Sequence, residues 1–527
     1  MKFGAVYCTY DDHEYLELSL ETFKNMDKVL FLISDVPWNG EKSDNSKTKS
    51  YVMNLCKEYP NFEYRQGLWA TEADQRNAGL HYMFGWGIDY CFVVDTDEVY
   101  HRAHVEAIQN YILANKNFSA FHIEWNTYWT KDYYVINPRE EFNPVICVKV
   151  TEYEFTQNRL GTTAVKRTSA AIFKNADEQG YNGILIPPSI AFCYHLSYAR
   201  KDEVIKRKME TFSHSSEIVK DWYDNVWKTW TPVSQNLHPV TPKQYKQAVK
   251  ENFIAFPGQL KLFIKKERMN SNLPCSIIIL NWNSCDLLKN CLKLIQENTS
   301  GVIYSVIIVD NGSSKDSSVE YLKSLTRDSF LFPFKIVYNK ENLGFAGGVN
   351  TGIRASATGS DVCLLNVDAE VQPGWLREMY ETMNRVPDCG FVGPLGNITE
   401  SRYQEEGMVK VDTLVPNLHF FCTLIFSEVI DKIGLFDTLY GNGCFDDNDY
   451  GMRGRLAGYT HVISAKSLVR HEAHQVFRLN GLDPFKAEME NKEKFMNKFF
   501  GVMLNYSRLY NYYATFDLAK ETGLLIQ

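Results

Sequence analysis

Two short acidic segments stand at matching places in this chain. Asp95-Thr96-Asp97-Glu98 follows the apolar run Cys91-Phe92-Val93-Val94, and Asn366-Val367-Asp368-Ala369-Glu370 follows Cys363-Leu364-Leu365. A carboxylate just past a buried strand is reachable from solvent and rigidly held. Oxygen donors at i and i+2 around a turn can aim at one divalent cation. Such ligation suits Mn²⁺ or Mg²⁺, with substrate phosphates completing the shell. A lone Asp-x-Asp is a weak signal, because solvated loop acids are far commoner. The apolar run before each segment, and its recurrence, strengthen it.

The elements around these segments also recur. Residues 3–9 (FGAVYCT) and 275–281 (CSIIILN) read as strands. Helical stretches follow, then second strands ending at Asp35 and Asp310, then Arg76-Asn77-Ala78-Gly79 and Val349-Asn350-Thr351-Gly352. Far downstream of each acidic segment comes a histidine, His195 and His471. The matched pairs are separated by 275 residues (Asp35 to Asp310), 273 (Asn77 to Asn350), 271 (Asp97 to Asp368) and 276 (His195 to His471). Any two α/β domains share a strand–helix order. Four chemically matched positions, in sequence at one spacing, go beyond that.

We therefore expect two tandem α/β domains, each with a mostly parallel sheet and crossover helices. The expected limits are residues 1–266 and 275–527, the second with a helical extension. Residues 267–274 would be the linker, in a polar stretch that ends at Pro274. In such sheets ligands collect at the carboxyl ends of the strands, where Asp35, Asp97, Asp310 and Asp368 all fall.

Composition narrows the classes. The 527 residues are 45% hydrophobic and 23% charged, an ordinary globular balance. With 56 Lys and Arg against 64 Asp and Glu, the formal net charge is −8, and no basic block appears. Binding that rests on phosphate neutralisation is disfavoured, and with it a nucleic-acid partner. No apolar run reaches the ~18–20 residues of a membrane helix, and the first residues lack a signal-peptide layout. The twelve cysteines show no metal spacing and read as free thiols of a cytoplasmic protein.

The second half resembles a family 2 glycosyltransferase of the GT-A fold. The likeness runs from about Cys275 to about His474 and rests on CSIIILNWNS, VIIVDNGSSKDS, NKENLGFAGGVNTGI, LLNVDAEV and, most specifically, GLFDTLYGNGCFDDNDYGMRGRLAGY. The first half resembles GT-A glycosyltransferases more distantly, through ATEADQRNAGL and VVDTDEV. The resemblance implies two Rossmann-like GT-A domains and a metal-dependent, bifunctional enzyme. Each half would take a nucleotide-sugar donor (UDP-, GDP- or dTDP-linked) and pass the sugar to a glycan or glycoconjugate.

It also implies roles. Asp310 and Asp35 would contact the nucleoside, with Asp95 and Asn366 near the ribose. Asp368 and Asp97 would bind the metal and diphosphate, with His471 and His195 as further metal contacts. The pair Asp446-Asp447 would supply the base; Asp447 is our choice, at a loop-to-helix junction where nearby Asp446 and Asp449 would raise its proton affinity and a nearby metal would lower it. Gly347 in the glycine-rich stretch would let backbone pass close to the donor, or serve a turn. Asn350, Asn77 and Arg76 would lie nearby, Arg76 facing diphosphate or solvent.

The first half has no copy of Asp446-Asp447. The matching offset falls near Asp177 and Glu178; either the base is Asp177, Glu152 or Glu154, or the first domain uses a retaining mechanism that works without a base of this kind. Two alternatives follow: one catalytic domain plus a glycan-binding or scaffold domain, or transfer onto a modified nucleic-acid base. Trp222, Tyr223, Trp227 and Trp230 read as core rather than a sugar platform. Phe495, Met496, Phe499, Phe500, Met503 and Leu504 form a stripe at helical spacing that reads as a docking helix, with a dimer or peripheral membrane contact as alternatives.

Overall fold

The computed structural model describes the chain except residues 39–41, 156–161, 165–166, 169–171, 174–181, 212–214, 270–272, 398–403, 514–524 and 527. Side chains within 162–173, at 211 and within 500–526 also lie outside the description, and so do Asp177 and Glu178. The chain divides into two units, Met1–Leu260 and Lys261–Gln527. The segment expected as linker begins inside a helix, Gly258–Met269. Lys265 in that helix lies within the second unit, where it is buried and donates to the carbonyls of Val386 and Cys389.

The first unit is built on a seven-stranded sheet. Phe62–Gly67, Lys28–Ser34, Phe3–Thr9 and Tyr90–Val94 run parallel in that order, and Val145–Lys149 adds antiparallel to the last. The second unit repeats the arrangement. Phe334–Tyr338, Tyr304–Asp310, Cys275–Asn281 and Val362–Asn366 are parallel, and Cys422–Ile425 adds antiparallel. The inner strands are near-continuous apolar runs because both sheet faces are covered, while the edge strands Phe62–Gly67 and Phe334–Tyr338 are only partly buried. Phe3–Thr9, for example, is buried at all seven positions.

The segments around Asn77 and Asn350 are helices, Glu72–Gly85 and Gly344–Ala355. Thr71 opens the first by accepting from the Asp74 amide at 3.1 Å, with Glu72 and Asp74 in the first turn, where acids favour a helix start. Glycine weakens a helix by about 1 kcal/mol relative to alanine, so the glycines here need a packing reason. A Cβ on Gly352 would lie 2.4 Å from Ile278, one on Gly348 2.2 Å from Leu280, and one on Gly79 2.6 Å from Val6. In each unit the Gly of Asn-x-Gly lets this helix press onto the first strand. Only Gly344 in the glycine-rich stretch has a positive φ, 73°.

The aromatic group after residue 220 is core: Trp222 and Trp227 are buried and pack on Trp129. All twelve cysteines are free. Among the described residues no helix is long and apolar enough to cross a membrane.

Candidate active sites

In the second unit, short strand Ala369–Val371 pairs antiparallel with the end of Thr460–His471, setting Ala369 opposite His471. That register brings His471 Nε2 to 3.3 Å from Asp368 Oδ1 and 3.4 Å from the Asn366 amide. The His471 ring stacks on Phe421. Asp368 Oδ1 is buried with no hydrogen-bond donor.

The acidic pair arrives from another direction. Helix Asp446–Leu456 starts directly after Gly441, Gly443, Cys444 and Phe445, all at positive φ. Positive φ at Cys444 and Phe445 is strained backbone, of the kind held in place where geometry matters. Asp446 is buried and its Oδ1 has no hydrogen-bond partner. Burial first, then the carboxylates of Asp447, Asp449 and Asp437, push the Asp446 carboxyl well above the usual range. A raised proton affinity thus falls on Asp446, the first acid of the pair. Asp447 accepts from the Asn448 amide at 2.8 Å and lies 4.0 Å from His419. Asp449 is engaged elsewhere, by Tyr440, Arg453 and Lys498.

Asn366, Asp368, Asp446, Asp447 and His471 all line one cavity of about 490 Å³, together with His419, which the sequence reading passed over. Asp310, Gly347 and Asn350 do not line it. Asp310 is buried and accepts from Asn281 and the Ser313 amide. A Cβ on Gly347 would meet Leu343 at 2.7 Å. Asn350 exchanges two bonds, both 2.9 Å, with the backbone N–H and C=O of Phe436.

The first unit uses the same register. Strand Glu98–Val99 pairs antiparallel with Cys193–Tyr198, setting Glu98 opposite His195, so again the residue after the second acid faces the histidine. His195 Nε2 lies 3.8 Å from Asp97 Oδ1. Asn77 makes the same two-way bond as Asn350, here with Phe155 at 2.7 and 2.8 Å, which ties it to the backbone. Asp35 pairs with Lys49 at 2.6 Å and lies off the cavity.

The charges differ between the units. Asp97 Oδ2 meets both Arg200 and Lys208 at 3.2 Å. Burial alone would push this carboxyl up; Lys208, His195 and Arg200 overcome that and hold it well below the usual range. Arg200 also grips Asp12 with two bonds of 2.8 Å. Buried Arg76 meets Glu72 at 2.7 Å and Asp95 at 3.2 Å, while its Nε and Nη1 have no hydrogen-bond partner. Asp95, Asp97, Arg76 and His195 line a cavity of about 750 Å³.

The same cavity contains Glu140, which sequence reasoning missed. It accepts from Thr127, whose hydroxyl also meets His195 Nδ1 at 3.1 Å. Burial pushes its carboxyl up to about 7. Glu152 is bound instead to Lys149 and Ser119, and neither it nor Glu154 lines the cavity. A run of Arg139, Glu140 and Glu141 gave no cue, because the cavity is closed by strands distant in sequence.

Residues 276–434 match the family model "Glycosyl transferase family 2". The uncharacterized protein y4gI of Sinorhizobium fredii is 26% identical over 225 residues, covering 38% of this chain and 24% of that protein. The uncharacterized glycosyltransferase YibD of Escherichia coli is 32% identical over 115 residues, covering 22% of this chain and 30% of that protein. The chain thus spans less than a third of the length of these relatives. Among solved structures, GalNAc-T7 with UDP, GalNAc and Mn²⁺ aligns with a TM-score of 0.33 at 14% identity, over 38% of this chain and 44% of that one. A mannosyltransferase of Pyrobaculum calidifontis with GDP-Man and Mn²⁺ aligns with a TM-score of 0.31 at 17% identity, over 41% and 64%.

Proposed function

We propose that the second unit transfers a glycosyl group from a nucleotide-sugar to a hydroxyl of a glycan or glycoconjugate, with inversion, and that the first unit carries a second such site. The observation behind this reading is the convergence of Asn366, Asp368, His471, Asp446 and Asp447 on one cavity. The family match over 276–434 covers the strand and the first two of these residues.

The donor set fits a divalent cation. Asp368 Oδ1 is a buried acceptor without a donor, and His471 Nε2 is 3.3 Å away. Among the described residues no three His, Cys, Asp or Glu side chains form a complete metal set. Mn²⁺ or Mg²⁺ is commonly held by one or two protein ligands plus substrate phosphates. Asp368 and His471 would hold it here, and when bound it offsets the charge on the departing diphosphate. Asp447 takes the acceptor's proton as the oxygen attacks the anomeric carbon and the bond to diphosphate breaks. Protonation of Asp446 relieves like-charge repulsion on its neighbour. In the first unit, the unpartnered nitrogens of Arg76 offer an anion two donors.

A second reading makes the first unit a glycan-binding domain. The engagement of Asp97 by Arg200 and Lys208 favours it. A donor screen on the full chain, read as nucleoside diphosphate released from UDP-, GDP- and dTDP-sugars, tests the proposal. Binding of two nucleoside diphosphates per chain supports two donor sites. One, lost in Asp368→Asn, supports the second reading.

A further inference from the structure

The loop that delivers Asp446 and Asp447 is held by a helix that lies beyond the family match. Helix Pro484–Tyr513 carries Asn491, Phe495 and Lys498 at i, i+4 and i+7, which share one face. All three meet the segment 437–449. The buried Asn491 amide donates to the carbonyls of Tyr440 and Gly443, both at 2.7 Å, and of Cys444 at 3.3 Å. The Phe495 ring packs on Phe445 at 5.4 Å. Lys498 bonds Asp449 and Asp437. Lys494 holds the Asn491 side-chain oxygen at 2.7 Å, fixing which way the amide points.

The carbonyls that Asn491 satisfies belong to the stretch with unfavourable backbone. Gly443, Cys444 and Phe445 stand at φ 135°, 70° and 71° immediately before the acidic pair. Positive φ at a non-glycine residue is unfavourable and persists only where the surroundings impose it. Without an external donor this loop would relax, and the helix that starts at Asp446 would turn with it.

We infer that Asn491 is a positioning residue for Asp446 and Asp447, holding the loop 440–445 in the strained form that aims the pair into the cavity. The inference rests on reading that pair as the acceptor-activating group. It differs from a structural role in one respect. The donor contacts at Asp368 and His471 come from other strands, so loss of the clamp degrades turnover and leaves donor binding in place.

The test uses the full chain with Asn491→Asp, which keeps the shape and replaces the amide donor by an acceptor, and Asn491→Ala. The expected result is a fall in turnover of a nucleotide-sugar found by the donor screen of about 10–100-fold, the scale of a small misplacement of reacting groups, at unchanged donor KM. Hydrogen exchange should quicken over 440–449 and stay as in wild type over 275–395. Unchanged exchange over 440–449 overturns the inference. So does a rise in KM in step with the fall in kcat, or exchange that quickens throughout the unit in both variants. If wild-type protein turns over no donor, the functional reading falls, and exchange over 440–449 still decides the clamp.

Discussion

Asp368 Oδ1 stands 3.3 Å from His471 Nε2, and the contact is made by a strand pairing that sets Ala369 opposite His471. The first unit has the same pairing, with Glu98 opposite His195, and a looser approach of 3.8 Å between Asp97 and His195. The looser pair is the one whose acid also meets Arg200 and Lys208.

The cation site proposed at the tighter pair predicts metal dependence. Turnover by the second unit should vanish in chelator and return with Mn²⁺ or Mg²⁺. Asp368→Asn and His471→Ala should each weaken metal-dependent nucleoside diphosphate binding, measured by calorimetry. Full turnover in chelator would remove the cation from the mechanism.

The acidic pair separates chemistry from binding. Asp447→Asn keeps shape and loses the accepting carboxylate, so turnover should fall ~10²–10⁴-fold, the usual scale for a general base. Binding of metal and nucleoside diphosphate should stay within twofold. If turnover is kept, Asp446 is the next residue to replace.

Glu140 sets a pH dependence of stability in the first unit. Its carboxyl is raised from 4.5 to about 7 by burial, so between these values the folded state binds more protons than the unfolded one. Stability from this group is therefore fully present at low pH and lost as pH rises from about 4.5 towards 7, by on the order of 1–3 kcal/mol. Glu140→Gln mimics the protonated form. It should melt with wild type at about pH 4, below the unfolded value, and above it at pH 8. Equal melting temperatures at pH 8 would contradict the raised affinity.

The asparagine clamps predict stability effects without a binding defect. Asn350→Ala leaves the N–H and C=O of Phe436 without their partner, at about 1–3 kcal/mol for each group that stays buried and unpaired. Chemical denaturation should show the loss, and nucleoside diphosphate affinity should hold. A large drop in affinity with little loss of stability would return Asn350 to the binding site.

The acids at the strand ends, the α/β class and the strand–helix order were legible in the sequence because they depend on neighbours a few residues away. A buried parallel strand needs a continuous apolar run, and the residue after it must emerge at the sheet rim. Runs such as Ile277–Leu280 and Cys363–Leu365 announce both. The roles of single polar side chains were decided by tertiary structure. Asn77 and Asn350 recur at the expected spacing, yet each is occupied by a backbone 78 or 86 residues further on. Whether a carboxyl gains or loses its proton also depends on what folds around it. Asp97 meets Arg200 and Lys208 from a distant strand end and helix, while Asp446 is buried and Glu140 half-buried among segments their own sequence does not mention. Local pattern determines where a polar group emerges; partners and burial, which set its chemistry, exist only once remote strands and helices have come together.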